Sequence, residues 1–520
     1  MVIRSRQRWR WWEIALTALL LLLPGRVRAQ SKSELEERIR RLEQIIRGAG
    51  LDRPAPAPGH RRPPPAPARA AEPAEEALDR PAVEGIVEEK LRKQKVLAGW
   101  KDGFFLESPN GDFKLKLRGY TQTQLRLFPF EKSDTGTDSI FMRRVRPIFE
   151  GTVFKYFDFR IMPDFGIGQV QLFDAYFDVN YLKPWVTFRG GKDKVPFSLE
   201  RLQSGQDLLF AERAISQNLA PNRDVGFRLA GDVDDGTLIW QLGVYNGVPD
   251  GRSSDGELVN VANTASGQVF GGFEGAARVF YTPFRHLGQD WFGTTALEKL
   301  GFGLATTWGH EKDGDNLSVI NYRTDGGATF FKFNTSTSSS NPITVLADGQ
   351  QFRFSPQGYY YWGPFGMMGE YIATDDGVQR TETKTVNGEK VTAVSNADLQ
   401  NHGWFVQASW VLTGEDASYR GVVPINPFDP LNGRWGAFEL AARGSVVNID
   451  PDAFTLGFAK LDQATTKASS FGVGLNWYFN RNFKVQFDYV RTRFANHIDF
   501  GDEVPRDLEN VLLTQFQISF

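Results

Sequence analysis

Apolar and polar residues alternate along this chain for longer than a soluble strand needs, and that alternation most restricts what it can become. In residues 113–127, FKLKLRGYTQTQLRL, one face carries Phe113, Leu115, Leu117, Thr121, Leu125 and Leu127. The other carries Lys114, Lys116, Arg118, Tyr120, Gln122, Gln124 and Arg126. Strand side chains alternate between two faces, so such a run reads as one strand of about 15 residues, well beyond the usual 5–6. SFGVGLNWYFN sets Phe471, Val473, Leu475, Trp477 and Phe479 against Gly472, Gly474, Asn476 and Tyr478. NFKVQFDYVRTRF sets Phe483, Val485, Phe487 and Tyr489 against Lys484, Gln486 and Asp488. The chain closes on VLLTQFQISF, with Leu512, Thr514, Phe516, Ile518 and Phe520 on one parity.

Sixteen such segments are expected: 113–127, 143–154, 157–165, 171–181, 185–193, 223–231, 237–245, 274–282, 300–309, 352–362, 365–373, 403–412, 436–447, 470–479, 483–493 and 509–520. Short turns join some pairs, as at 362–366 and 480–482, while 334–349 and 374–401 read as long polar loops. Short turns on one side and long loops on the other mark a transmembrane β-barrel. In lipid every backbone polar group must be satisfied internally, so the sheet must close. Sixteen strands then leave an aqueous lumen rather than a packed core. The alternative is a soluble sandwich or propeller with an apolar last strand. Aromatics at 13%, including 42 Phe, suit a barrel with aromatic girdles. Mean hydropathy is negative and no stretch after the N-terminus reaches 18 apolar residues, which excludes a helical membrane protein.

The N-terminus differs in texture. Arg4, Arg6, Arg8 and Arg10 precede the apolar run IALTALLLLLPG, and Val27 and Ala29 stand where a cut before Gln30 needs small residues. Residues 1–29 therefore read as a secretory signal peptide, with a membrane anchor as the alternative. Residues 30–50 place Leu35, Ile39, Leu42 and Ile46 on a heptad seam, a short coiled-coil helix or a lone amphipathic one. Residues 51–103 form a linker, with nine Pro between 52 and 81 and a helical pattern from 83 to 100. The barrel occupies 104–520. The chain has no Cys, which fits an oxidising compartment.

Three stretches carry charge into the expected lumen. In 138–166 the register turns Phe149, Val153, Phe157, Phe159 and Ile161 outward, and Arg144, Arg146, Glu150, Arg160 and Asp164 inward. These arginines read either as a solvated ladder balanced by carboxylates or as a track for anions, which guanidinium forks bind through paired hydrogen bonds. The stretch after Gly190–Gly191 alternates poorly and Pro196 excludes a central strand position. A loop that long must pack somewhere. Folded inward it brings Lys192, Lys194, Glu200 and Arg201 to a constriction; the alternative is an external lid. The third stretch, 412–449, holds three Pro in a loop and returns on a strand with Glu439 and Arg443 inward.

The blocks RRVRPIFEGTVFKYFDFRI, LFDAYFDVNY, GGKDKVPFSLERL, LTGE, GAFELAAR, GLNWYFN and the closing FQISF, spread over 113–520, resemble the phosphate-selective porin O and P family. The terminal Phe also resembles the signal read by outer-membrane assembly machinery. The resemblance implies an outer-membrane homotrimer of sixteen-stranded antiparallel channels whose third external loop folds inward to a basic eyelet. It places the family's paired arginines at Arg143 and Arg144, its loop lysine at Arg201 and its carboxylate at Asp174. The family's first-strand arginine falls on Tyr120, with Arg118 two residues away on the same face.

The expected function is passive diffusion of small inorganic anions, phosphate-like ones preferred, with a general or weakly selective porin as the alternative. From residue 105 onward 39 Lys and Arg stand against 48 Asp and Glu, a balance of −9, so any basic eyelet must act through its local field. The five His stand in no hydrolase or zinc motif, and RGGKDK lacks the upstream Gly and following Ser or Thr of a P-loop. No enzyme, metal, cofactor or nucleic-acid partner is expected. The partners are outer-membrane lipid, two further copies of the chain and, for a periplasmic N-terminal segment, the cell wall.

Overall fold

Alternation builds the expected sheet. The computed structural model describes residues 96–129, 136–248, 250–251, 253, 272–288, 295–311, 321–499 and 506–520. The expected signal peptide, heptad segment and linker as far as residue 95 lie outside the described residues.

A short hairpin comes first, β1 (Leu97–Trp100) and β2 (Phe104–Glu107). The wall then runs through β3 (Lys114–Leu127), β4 (Ser139–Val153), β5 (Phe157–Asp164), β6 (Gln171–Leu182), β7 (Val186–Lys194) and β8 (Arg223–Val233). It continues through β9 (Leu238–Tyr245), β10 (Glu274–Tyr281) and β11 (Lys299–Glu311). A separate small sheet follows, β12 (Tyr322–Arg323) with β13 (Thr329–Phe331). The wall resumes with β14 (Ile343–Trp362) and β15 (Phe365–Val386), and β16 (Glu389–Leu399) branches from β15. The last strands are β17 (His402–Val411), β18 (Ala437–Asn448), β19 (Lys467–Tyr478), β20 (Phe483–Ile498) and β21 (Arg506–Ser519).

Leaving aside β1, β2, β12, β13 and β16, sixteen strands pair antiparallel with their neighbours, and β21 closes on β3 from Leu512↔Leu127 to Ser519↔Tyr120. Each corresponds to one expected segment. The seam ends on the terminal residue: Gly119 and Phe520 exchange backbone hydrogen bonds of 2.9 Å in both directions. That pairing leaves no free edge at the C-terminus. On β21, Leu512, Phe516, Ile518 and Phe520 are exposed while Leu513, Gln515 and Gln517 are buried, so the apolar parity faces outward.

The turns at 154–156, 183–185, 234–237, 363–364 and 479–482 gather at one end of the barrel, the short-turn end. Two longer connections, 282–298 and 412–436, share it.

Four expectations change. Leu97–Trp100 is a strand, not the tail of a helix: it pairs with β2, which pairs with β3 where β21 has ended. Residues 374–401 are not a loop. β15 and β16 form a long hairpin around Asn387–Gly388, both at positive φ (54° and 84°). Asn-Gly between alternating segments is a strong two-residue hairpin signal. The supposed loop at 334–349 is already strand from Ile343, interrupted by a bulge between Ala347 and Gln351. Finally, part of the lumen is packed. Phe197, Ile215, Leu219, Phe330, Phe331 and Phe458 form one buried apolar cluster with inward residues such as Val345, Ile372 and Phe494. Near the long-loop end the inward parity of β14, β15 and β20 is apolar, so connecting segments dock there as they would on a soluble core.

Candidate functional site

Residues 195–222 leave the wall after β7 and re-enter it at β8. Pro196 has no N–H for a ladder, and Ser198 starts a one-turn helix, α1 (Leu199–Leu202), its Oγ accepting from the Arg201 N–H at 3.1 Å. The segment is almost wholly buried within the barrel, with Phe197, Leu208, Phe210, Ile215 and Leu219 as its apolar anchors.

One side of the wall tethers it mostly through neutral donors. Gln122 donates to the Gly205 carbonyl at 2.9 Å, Gln517 to Gln206 at 3.1 Å, Gln486 to Leu208 at 3.2 Å and Asn476 to Leu209 at 2.9 Å. Lys484 also donates to the Leu208 carbonyl, at 3.1 Å. Asp488 accepts from the Ala211 N–H at 2.8 Å, and Glu370 from the Leu199 N–H at 2.7 Å.

The arginines sort into two groups. A bulge in β4 opposes Gln122 to Arg144 but Thr123 to Met142, leaving Arg143 as the extra residue. Bulges re-aim side chains, and here two consecutive arginines reach the inward segment. Arg143 forks onto Glu212, its Nη2 at 2.9 Å from Oε2. Arg144, only 2% exposed, donates to Gln122 and to the Ala211 carbonyl. Burial pushes the Glu212 carboxyl up, but Arg143 and Arg144 outweigh it and hold Glu212 well below the ordinary carboxylate range. Arg118 forks onto Glu150, with Nε at 2.8 Å from Oε1. Lys192 is buried on β7.

The second group meets around Lys194. Its Nζ donates to the Leu202 and Gln203 carbonyls at 3.1 and 2.8 Å. Arg201 donates to the Gln217 carbonyl at 2.6 Å, and Arg213 to Glu200 and Gln203 carbonyls at 3.2 and 2.9 Å. None of these three has a carboxylate oxygen within 4.0 Å among the described residues. Burial lowers Arg201 to about 10; burial, with Arg201 second, lowers Arg213 to about 9, so each keeps its charge at neutral pH. On the facing wall Arg223 pairs with Asp174 at 2.8 Å, Arg160 with Asp174 at 3.1 Å and Arg146 with Asp164 at 2.7 Å. Arg146 also donates to the Tyr120 hydroxyl at 2.7 Å. A second bulge, in β6, leaves Phe173 as its extra residue. Its ring lies 4.2 Å from the Arg146 guanidinium and 4.4 Å from that of Arg223.

Of the expected site residues, Arg146, Asp174, Lys194 and Arg201 come together. Arg143 and Arg144 brace the inward segment from behind, and Arg118 belongs to a separate ion pair nearer the short-turn end. Arg213 and Arg223 were not anticipated. Arg213 lies in a segment with no period to read, and Arg223 stands at the junction between that segment and β8.

The phosphate-selective porin O and P family matches residues 113–520. Porin O of Pseudomonas aeruginosa is 26% identical over 410 residues, covering 76% of this chain and 86% of that protein. Among solved structures, the outer membrane channel DcaP of Acinetobacter baumannii is 12% identical, with 82% of this chain and 100% of that one covered at a TM-score of 0.47. An anion-selective porin from Comamonas acidovorans is 10% identical, with 78% and 100% covered at a TM-score of 0.46. The family match spans the whole closed wall and the inward segment, and on that ground this chain belongs to the phosphate-selective porin O and P family, as a porin of the outer membrane.

Proposed function

We propose that the protein is a channel for passive diffusion of small anions, phosphate-like oxyanions preferred. In this reading residues 195–222 are the third external loop, the short-turn end is periplasmic, and the passage runs between that loop and the β4–β8 wall. One observation carries it: Arg201 and Arg213, like Lys194, spend their hydrogen bonds on carbonyls, which leaves the two guanidinium charges without a carboxylate counterpart at contact distance. The net charge of the barrel matters less than this local field, because low-dielectric walls focus it. Arg146, Arg160 and Arg223 pair with Asp164 and Asp174 and offer further donors to an oxyanion. Membership of the phosphate-selective porin O and P family supports the same class of solute.

The reading extends to assembly. Three barrels associate as a homotrimer, and the segment at 30–50 supports the trimer from the periplasm. Deleting 31–95, which spares the β1–β2 hairpin, is expected to leave conductance intact.

The deciding measurement is the reversal potential of single channels in a potassium chloride gradient. A potential of the sign set by chloride is expected. Current carried mainly by potassium would replace this reading with a weakly selective or cationic porin.

A further inference from the structure

The connection from β17 to β18, residues 412–436, lies at the short-turn end yet does not turn tightly. Its first half enters the barrel. Ala417 and Val422 are buried with Val411, Ala437 and Tyr478, and the Ala417 N–H donates to the Gly363 carbonyl at 2.8 Å. Tyr419 reaches the inward segment from below: its hydroxyl donates to the Leu199 carbonyl at 2.6 Å, and its own carbonyl accepts from Gln203 at 2.6 Å. Buried Glu415 accepts from the Ile425 N–H at 3.1 Å, which closes this half into a loop.

The second half comes out on the other side of the wall. Trp477 and Phe479 belong to the outward parity of β19, with Phe471 and Val473. Phe428 packs on that face, 5.7 Å from the Trp477 ring and 4.8 Å from that of Phe479, and its N–H donates to the Phe479 carbonyl at 2.6 Å. Asp429 and Arg434 then exchange backbone hydrogen bonds of 2.9 and 3.0 Å around a tight turn with Gly433 at φ 69°. At its tip Leu431 is 96% exposed; Ile425 is 71% and Trp435 55% exposed. Trp477 Nε1 donates to the Trp435 carbonyl at 2.7 Å.

We propose that residues 412–436 are a strap passing from lumen to lipid. Leu431, Ile425 and Trp435 dock into the phospholipid leaflet at the short-turn end, and that docking holds Tyr419 against the inward segment. The occupant is lipid because the strap's apolar half is continuous with the outward face of β17–β19, whose Trp410, Leu440 and Phe471 belong to the band that crosses the membrane. Tyr and Trp prefer the headgroup boundary, where an apolar ring and a polar handle are both satisfied. A rigid turn held by Phe428 presents Leu431 there at little conformational cost. The proposal rests on the membrane placement of the barrel and not on its ion preference.

The chain has no Cys, so Leu431→Cys labelled with bimane gives a single reporter in the full-length protein reconstituted into liposomes. Strong quenching by phosphatidylcholine spin-labelled near the headgroup, with weak quenching by aqueous iodide, is expected. Iodide quenching alone overturns the lipid contact, and so does protection from both quenchers, which would mean that a second copy covers the turn. Coupling is read separately from open-channel current. Leu431→Asp and Phe428→Ala are each expected to raise current noise at least twofold, with the barrel folded by circular dichroism. Unchanged noise in both overturns the coupling and leaves the quenching result to decide the contact.

Discussion

The two sides of the lumen solve different problems with different chemistry. The side formed by β3 and β19–β21 holds the inward segment mainly with amides: Gln122, Asn476, Gln486 and Gln517 each reach one of its carbonyls. The side formed by β4–β8 carries Arg146, Arg160, Arg189, Arg223 and Arg228, each beside an Asp. Neutral donors fix a loop without adding a field. Paired arginines keep a field while avoiding the cost of unpartnered buried charge. Between them the segment contributes Lys194's carbonyl partners and its own Arg201 and Arg213. Anchoring thus falls mainly to the β3 and β19–β21 side, with the Arg143 fork of β4 as an ion-paired counterpart, and the paired-arginine field falls to the β4–β8 side, so mutations on the two sides should separate them.

The largest effect is expected where charge lacks a carboxylate. Each unit charge about 6 Å from a permeating ion contributes roughly 0.7 kcal/mol even at the dielectric constant of water, so the two guanidinium charges alone favour chloride by roughly 1.4 kcal/mol, and replacing Lys194, Arg201 and Arg213 together by Gln should cut chloride-over-potassium permeability at least about tenfold. Reversal potentials check this; an unchanged ratio would remove these three from the pathway.

Tethers come next, and they should change stability rather than permeability. Glu212→Gln strips the Arg143 fork of its partner and should cost about 3 kcal/mol, the range for breaking a largely buried ion pair. Gln486→Leu leaves loop carbonyls unmet and should cost about 1–2 kcal/mol. Thermal unfolding in detergent measures both. Equal losses would mean that the ion-paired and amide-tethered sides do not differ as anchors.

The smallest effect concerns pH. Asp207, on the inward segment, is pushed up from 3.8 to about 6 by burial, against the pull of Lys484 and Arg420. A carboxyl raised in this way stabilises the fold through its neutral form, fully below pH 3.8, and that contribution is lost as pH rises through about 6. Above pH 6 it adds a negative charge near the passage. Chloride preference should therefore be roughly 1.5-fold higher at pH 5 than at pH 8, and Asp207→Asn should flatten the profile. A profile unaltered by Asp207→Asn would assign the pH dependence elsewhere.

Legibility followed period. A strand with one oily and one wet face states its register in its residues, which is why all sixteen wall strands and the inward parity of Arg144, Arg146, Glu439 and Arg443 could be read directly. The Asn387–Gly388 turn was equally readable, but Thr-rich, polar flanks made 374–401 look like a loop. The bulges at Arg143 and Phe173 could not be read, because a bulge is defined by the partner strand: only the pairing of Gln122 with Arg144 and of Met162 with Asp174 reveals an extra residue.

Sequence alone indicated that the wall is a closed sheet, which parity of each strand is apolar, and that Phe520 stands on the outward one. Backbone groups in lipid allow few other solutions, and a period of two leaves little freedom in register. Tertiary structure decided which cations share a space. Lys194, Arg201, Arg213 and Arg223 come from a segment and its two junctions with no periodicity, so their meeting depends on where Pro196, Phe197 and Ile215 find apolar wall to pack against. The same holds for the strap, whose prolines foretold rigidity but not that Tyr419 would lie within the barrel and Leu431 outside it.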